Sequence, residues 1–358
     1  MDHNKLQKKI KETFDRIQER LKGPFRFMEV CGTHTVSIFR SGLKSLFPHL
    51  LEHISGPGCP VCVTHPRDIA MGMELAENPD VIFAIFGDMM RVPDSNGVTL
   101  KDLRAKGANI VVCYSPLDSL KLALKNIDKE IVFWGIGFET TVPTVGATIT
   151  EAKKMGIKNF SVLSHHKIIP PVLKFLVEYG EVEINGFLLP GHVSTIIGIS
   201  PYEFLAKDHK IPSVIAGFDP IDIVYALDML TSMYICNSPK ILNCYERAVK
   251  PEGNKKAQRV IKEVFKVSDA YWRGIGKIEA SGLEIRNTYK EFDAKKRFGL
   301  TPKDVGEPKG CRCGEVLQGK ISPKDCPLFG KKCTPISPVG PCMVSTEGSC
   351  AAYYKYGV

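Results

Sequence analysis

A chain of 358 residues is too long for one small core, so two or three domains are expected, and 44% apolar with 24% charged residues suits a protein folded in water. The charged N-terminus lacks the apolar run of a secretory signal, and no stretch is long and apolar enough to span a bilayer, so a cytoplasmic location is expected. The formal charge of +9 is scattered among acids with no basic stripe, which fits a solvated surface and an acidic protein partner rather than nucleic acid or a membrane.

Residues 4–22 place Leu6, Ile10, Phe14, Ile17 and Leu21 on one helical stripe. After Gly23 and Pro24, FRFMEVCG reads as a short strand ending at Cys31, followed by a helix through VSIFRSGLKSLF. LEHISGPG, a helix near RDIAMGMELAEN, the buried strand VIFAIFG and the run ANIVVCYS come next. Four more buried strands, IVFWGIGFETT, NFSVLSHH, INGFLLPGH and IPSVIAGF, are separated by helical segments such as TVGATITEAKKMG and PPVLKFLVEYG. Strands that alternate with helices and end in Gly, Ser or Pro predict α/β units with parallel sheets. The fold expected is two tandem parallel-sheet α/β domains, over residues 26–124 and 125–235, plus a helical, cysteine-rich domain over residues 236–358 that takes in the N-terminal helix 1–25. The stretch from Ile221 to Lys266 reads as helix-rich. From Gly306 onward the chain has too few periodic apolar residues to build its own core, and such a segment calls for a metal or covalent staple.

Open α/β sheets bind ligands beyond the carboxyl ends of their strands. Those ends carry EVCGTHT with Cys31 and His34, SGPGCPVC with Cys59 and Cys62, FGDMMR, GFETT with Glu139, SHHK with His165 and His166, and LPGHVS with His192. If both units follow the rule, thiols of the first and the carboxylate and imidazoles of the second face one cleft. Each residue has a plainer reading as well. Cys31 and His34 fit a small buried residue and a hydrogen-bonded loop histidine, Glu139 a cap on the following helix, and the other histidines satisfied core residues. Cys113, Cys236 and Cys244 lie in apolar sequence and read as core residues.

In a reducing compartment, 12 cysteines point to metal ligation or thiol chemistry rather than a disulfide framework. The C-x-x-C of Cys59 and Cys62 leaves open half a zinc site, a redox couple or ligation of another metal, and its Gly-Pro frame predicts exposed thiols. The tail holds Cys311, Cys313, Cys326, Cys333, Cys342 and Cys350 in the spacing C-x-C-x12-C-x6-C-x8-C-x7-C. It lacks the paired C-x-x-C knuckles of a zinc ribbon, and irregular thiolates among prolines suit a [4Fe–4S] cluster, with zinc as the alternative.

The segments FMEVCGTHT, GPGCPVCVT, GFETT, LPGHVS and CTPISPVGPCMVSTEGSCAAYYKYG together resemble the HypD family of hydrogenase-maturation factors, over essentially the whole chain. The resemblance implies two α/β domains and a third that carries a [4Fe–4S] cluster. It also implies a redox-active scaffold rather than a conventional turnover enzyme. On that scaffold the Fe(CN)2CO group of [NiFe]-hydrogenases is assembled with the chaperone HypC, cyanide is accepted from HypE, and the product passes to the hydrogenase large subunit. Carried onto this sequence, Cys31 matches the cysteine that holds the assembling iron, with His34 positioned to orient the iron or a diatomic ligand. Cys59 and Cys62 match a thiol pair relaying electrons between cluster and iron, and Glu139 and His192 match residues facing the same cleft. The expected cluster ligands are Cys313, Cys326, Cys333 and Cys350, with Cys311 and Cys342 left as a pair. Two rival readings use the same residues: a cluster-dependent thiol–disulfide oxidoreductase acting on a protein disulfide, and a zinc-stabilised scaffold.

Overall fold

The apolar runs fold as strands of parallel sheets, with Phe160–Ser164 and Gly186–Leu189 buried on both faces. In the computed structural model, which describes residues 3–357, they are β1 (Phe25–Glu29), β2 (Leu51–Ser55), β3 (Val81–Ile85), β4 (Ile110–Val112), β5 (Glu130–Gly135), β6 (Phe160–Ser164), β7 (Gly186–Leu189) and β8 (Ser213–Ile215). Three further strands follow: β9 (Ile241–Asn243), β10 (Phe265–Trp272) and β11 (Gly276–Ile285). One sheet runs β2-β1-β7-β8-β9 and the other β4-β3-β5-β6. Every neighbouring pair in both is parallel.

Two parallel α/β units are present, but the chain segments that build them are interleaved. β1 and β2 begin the five-stranded sheet, β3 to β6 make the whole four-stranded one, and β7 to β9 complete the first. The division expected between residues 124 and 125 therefore falls inside the four-stranded sheet, between β4 and β5. Local periodicity marks which residues form strands, while the pairing of Met28 on β1 with Phe187 on β7 leaves no local trace.

Side chains alternate across each strand, so the two faces of each sheet enter different cores. Phe25 and Phe27 of β1 pack with Ile10, Phe14 and Ile17 of the helix His3–Arg20 and with Leu230 of the helix Pro220–Ile235. The N-terminal helix thereby joins the five-stranded unit, and its Arg16 and Arg20 pair with Asp228. On the opposite face, Met28, Phe187, Leu189 and Ile215 share one core with Val81, Phe83, Val132, Trp134 and Leu163 of the other sheet. Phe133, Phe160 and Val162 enter a third core with Val145 and Ile149 of the helix Val142–Lys154.

Some expectations are corrected. The region read as helix-rich holds the helices Pro220–Ile235 and Lys255–Val264, but β9 lies between them, and β10 and β11 form an antiparallel hairpin that the sequence reading passed over. The alternation in KVSDAYW and KIEASGLEI about RGIG is its signal. Cys113 is buried, yet Cys244 is half-buried and Cys236, just past a helix end, is exposed. No helix among the described residues is long and apolar enough to cross a membrane.

Candidate functional site

Both sheets have a point where strand order reverses. In the five-stranded sheet it lies between β1 and β7, and in the four-stranded sheet between β3 and β5. A crevice opens at such a point beyond the carboxyl ends of the strands. Cys31 follows β1, His192 follows β7 and GFETT follows β5. The loops meet: Cys31, Pro60, Phe138, Thr141, His192 and Glu347 line one cleft of about 440 Å³.

Cys31 is the N-cap of the helix Gly32–Arg40, and the next backbone N–H, from Gly32, donates to Gly58 O at 3.2 Å. The GPGC loop runs so close that a Cβ on Gly58 would sit 2.2 Å from Cys31 N. On the other side, Thr33 Oγ1 donates to Glu347 Oε1 at 2.7 Å, tying the C-terminal segment to this helix. Glu29, buried beneath, accepts the Cys31 N–H at 3.0 Å and the Thr35 hydroxyl at 2.5 Å. Burial raises the Glu29 carboxyl to about 8, against the lowering effect of those bonds. Burial first, and the Glu347 charge second, push the Cys31 thiol up to about 12. The cleft therefore presents a protonated thiol over a largely protonated carboxyl at neutral pH.

His34 lies behind the cleft rather than on its wall. Its Nε2–H donates to Gly217 O at 3.0 Å and its ring packs 4.7 Å from that of Phe218. Nδ1 is consequently a bare acceptor, buried and without a hydrogen-bond partner among the described residues. Burial lowers the imidazole to about 4, so it is neutral. His192 lines the cleft itself, and its ring stacks 4.1 Å from that of Phe218. Glu139 of GFETT is buried, and its Oε1 accepts the Ile169 N–H at 3.0 Å while its Oε2 has no partner among the described residues. It thus satisfies the first orphan N–H of the helix Ile169–Tyr179 rather than of the helix that follows it in sequence. Burial raises it to about 7.

Cys59 and Cys62 form a disulfide and are 3% and 0% exposed. The expectation of exposed thiols is corrected, because Cys59 caps the short helix Pro60–Val63, accepting the Cys62 N–H at 3.2 Å, and the central core closes over both. That core also takes in Cys313, Cys342, Met343 and Cys350, so the tail packs onto the α/β body. All six tail cysteines line one small cavity, in which the sulfurs of Cys313 and Cys342 approach to 2.6 Å. No three or more His, Cys, Asp or Glu side chains among the described residues are arranged to hold a single metal ion.

The family profile described as "Hydrogenase formation hypA family", HypD, matches residues 4–357. The chain belongs to the HypD family. It is 44% identical over 348 residues to the hydrogenase maturation factor HypD of Escherichia coli (strain K12), covering 97% of this chain and 93% of that protein. It is likewise 44% identical over 349 residues to the hydrogenase maturation factor HypD2 of Bradyrhizobium diazoefficiens, covering 96% and 92%. A putative hydrogenase expression/formation protein of Methanocaldococcus jannaschii is 42% identical over 349 residues, covering 97% of each.

In this chain the motif loops after β1, β5 and β7 share the cleft, whereas SHHK after β6 does not. His165 and His166 line a separate cavity against the hairpin. The sequence reading missed Glu347. Its signal was an acid in STEGSC, whose Gly348 allows a turn so tight that a Cβ would meet Cys342 O at 2.1 Å.

Proposed function

We propose that this HypD-family chain is a hydrogenase maturation scaffold whose Cys31 cleft holds iron while its diatomic ligands are added. The observation that carries the reading is the convergence of Cys31, the GPGC loop, GFETT, PGHVS and Glu347 on one cleft, drawn from the reversal points of both sheets. The iron is cargo. A soft metal displaces the thiol proton and binds the thiolate, and sharing that iron with a cysteine of HypC leaves positions for CN and CO. His192 and Glu347 are titratable groups that line the same cleft as Cys31, and His34 and Glu139 support the walls from behind. The completed Fe(CN)2CO group then passes to the hydrogenase large subunit, all in the cytoplasm.

Cyanide arrives as a thiocyanate on HypE. Breaking its C–S bond takes up two electrons and yields cyanide and the HypE thiolate. Oxidation of a Cys59–Cys62 dithiol to the disulfide releases two electrons and two protons, which balances that step. The tail fits a [4Fe–4S] group by donor chemistry, since six soft thiols and the apolar side chains of Val316, Leu328 and Phe329 surround one cavity. Such a cluster takes four cysteines and supplies one-electron transfer. The approach of Cys313 to Cys342 favours these two as the spare dithiol. We therefore assign the cluster to Cys311, Cys326, Cys333 and Cys350, with Cys311 in place of Cys313 in the sequence-based set. Burial of Cys59 and Cys62 counts against the rival oxidoreductase reading, because a protein disulfide must reach the attacking sulfur.

Infrared spectra of the anaerobic complex with HypC test the reading. Cys31→Ala is expected to abolish the iron-bound CN and CO bands, and bands at full intensity in the variant would overturn it.

A further inference from the structure

The cavity at the end of β6 shares no lining residue with the Cys31 cleft. It measures about 260 Å³ and lies between the helix Pro66–Ala76, the SHHK loop and the β10–β11 hairpin. Arg67, Asp68, His165, His166, Lys167 and Lys295 contribute to its wall. Lys167 is 2% exposed, and a lysine is seldom buried so far unless it is paired.

Three carboxylates and three cations line this cavity, but they are not equally free. Asp269 pairs with Lys277 at 2.8 Å and Glu284 with Lys266 at 3.2 Å, both lysines lying outside the lining. Asp68 pairs with Lys167 at 3.4 Å. Arg67 and Lys295 remain, and among the described residues neither has a carboxylate within ion-pair distance. Arg67 instead lies 4.0 Å over the ring of Tyr271. Hydrogen bonding fixes one further donor. Trp134 Nε1–H donates to His165 Nδ1 at 3.0 Å, so the His165 proton is on Nε2. That N–H faces Asp68 at 3.6 Å, beyond a hydrogen bond, and has no other acceptor among the described residues. Burial holds His165 neutral, so it acts as a donor and not as a charge.

We propose that this cavity binds a small organic anion, its phosphate or carboxylate group held by Arg67 and Lys295 and its organic part against Tyr271, Met71 and Leu283. A guanidinium offers a forked pair of donors that matches either oxyanion. The volume exceeds that of a bare ion, and the aromatic and aliphatic wall suits a carbon skeleton.

Calorimetric titration of the full chain with phenyl phosphate, benzoate and benzyl alcohol tests the proposal. At least one of the two anions is expected to bind saturably at one site, and benzyl alcohol is not. Phenyl phosphate binding alone identifies a phosphate-bearing ligand, and benzoate alone a carboxylate-bearing one. The double variant Arg67→Gln, Lys295→Gln should weaken the anion at least tenfold while the unfolding midpoint stays put. If that variant fails to fold, Lys295→Gln alone, at a half-exposed position, should weaken binding by about threefold. Absence of saturable binding by either anion, an unchanged Kd in the variants, or equal binding of benzyl alcohol would each overturn it.

Discussion

The reactivity of Cys31 follows from what surrounds it rather than from the thiol itself. Burial removes water that would solvate a thiolate, and Glu347 adds a like charge, so the thiol sits at about 12 rather than at its ordinary 9.0. A raised value means less thiolate at any given pH below it. Alkylation of Cys31 by iodoacetamide, followed by peptide mass mapping, should therefore be slow at pH 8 and accelerate towards pH 11. Glu347→Gln removes the nearby charge and should speed labelling at pH 9, where equal rates in the two proteins would show that the carboxylate does not act on Cys31. The buried state of Cys59 and Cys62 was not legible in their own Gly-Pro frame, because the residues that cover them come from distant parts of the chain. Glu347 was hidden for the same reason: its contact with Thr33 spans 314 residues.

The loop between β2 and the helix Pro60–Val63 is an element whose path is fixed by contact. Gly58 lies against the Cys31 backbone, while Gly23 has nothing within 4 Å of an added Cβ. Gly58→Ala forces backbone apart and should cost about 1–3 kcal/mol, the usual range for overpacking, in denaturant unfolding. Gly23→Ala should be close to neutral. Equal stability of the two variants would remove the close approach from the account. Strands β3 and β5 were readable because continuous apolar runs such as Val81–Ile85 and residues 131–134 have few other uses. The hairpin β10–β11 escaped because its outer face is polar and its apolar alternation weak, with only the β11 end reading Gly-Leu-Glu-Ile.

The two sheets face one another across a shared core, in which Met28 and Phe187 of one lie with Phe83 and Trp134 of the other. Neither sheet can lose that partner without exposing a whole apolar face. Calorimetry of the chain should therefore show one cooperative transition for both sheets, and two well-separated transitions would contradict a common core. Most strands of the two parallel sheets were legible in the sequence, but sheet membership was not. Periodicity is local, whereas the insertion of one sheet between β2 and β7 of the other is decided by packing. The tie between Thr33 and Glu347 also sets an order in time. Synthesis proceeds at roughly 5–20 residues per second, so a ribosome that has released Cys31 needs tens of seconds more to release the acid that closes its cleft. An unfinished chain thus has the thiol but not the enclosure, and only the completed polypeptide presents a place where cargo can be kept.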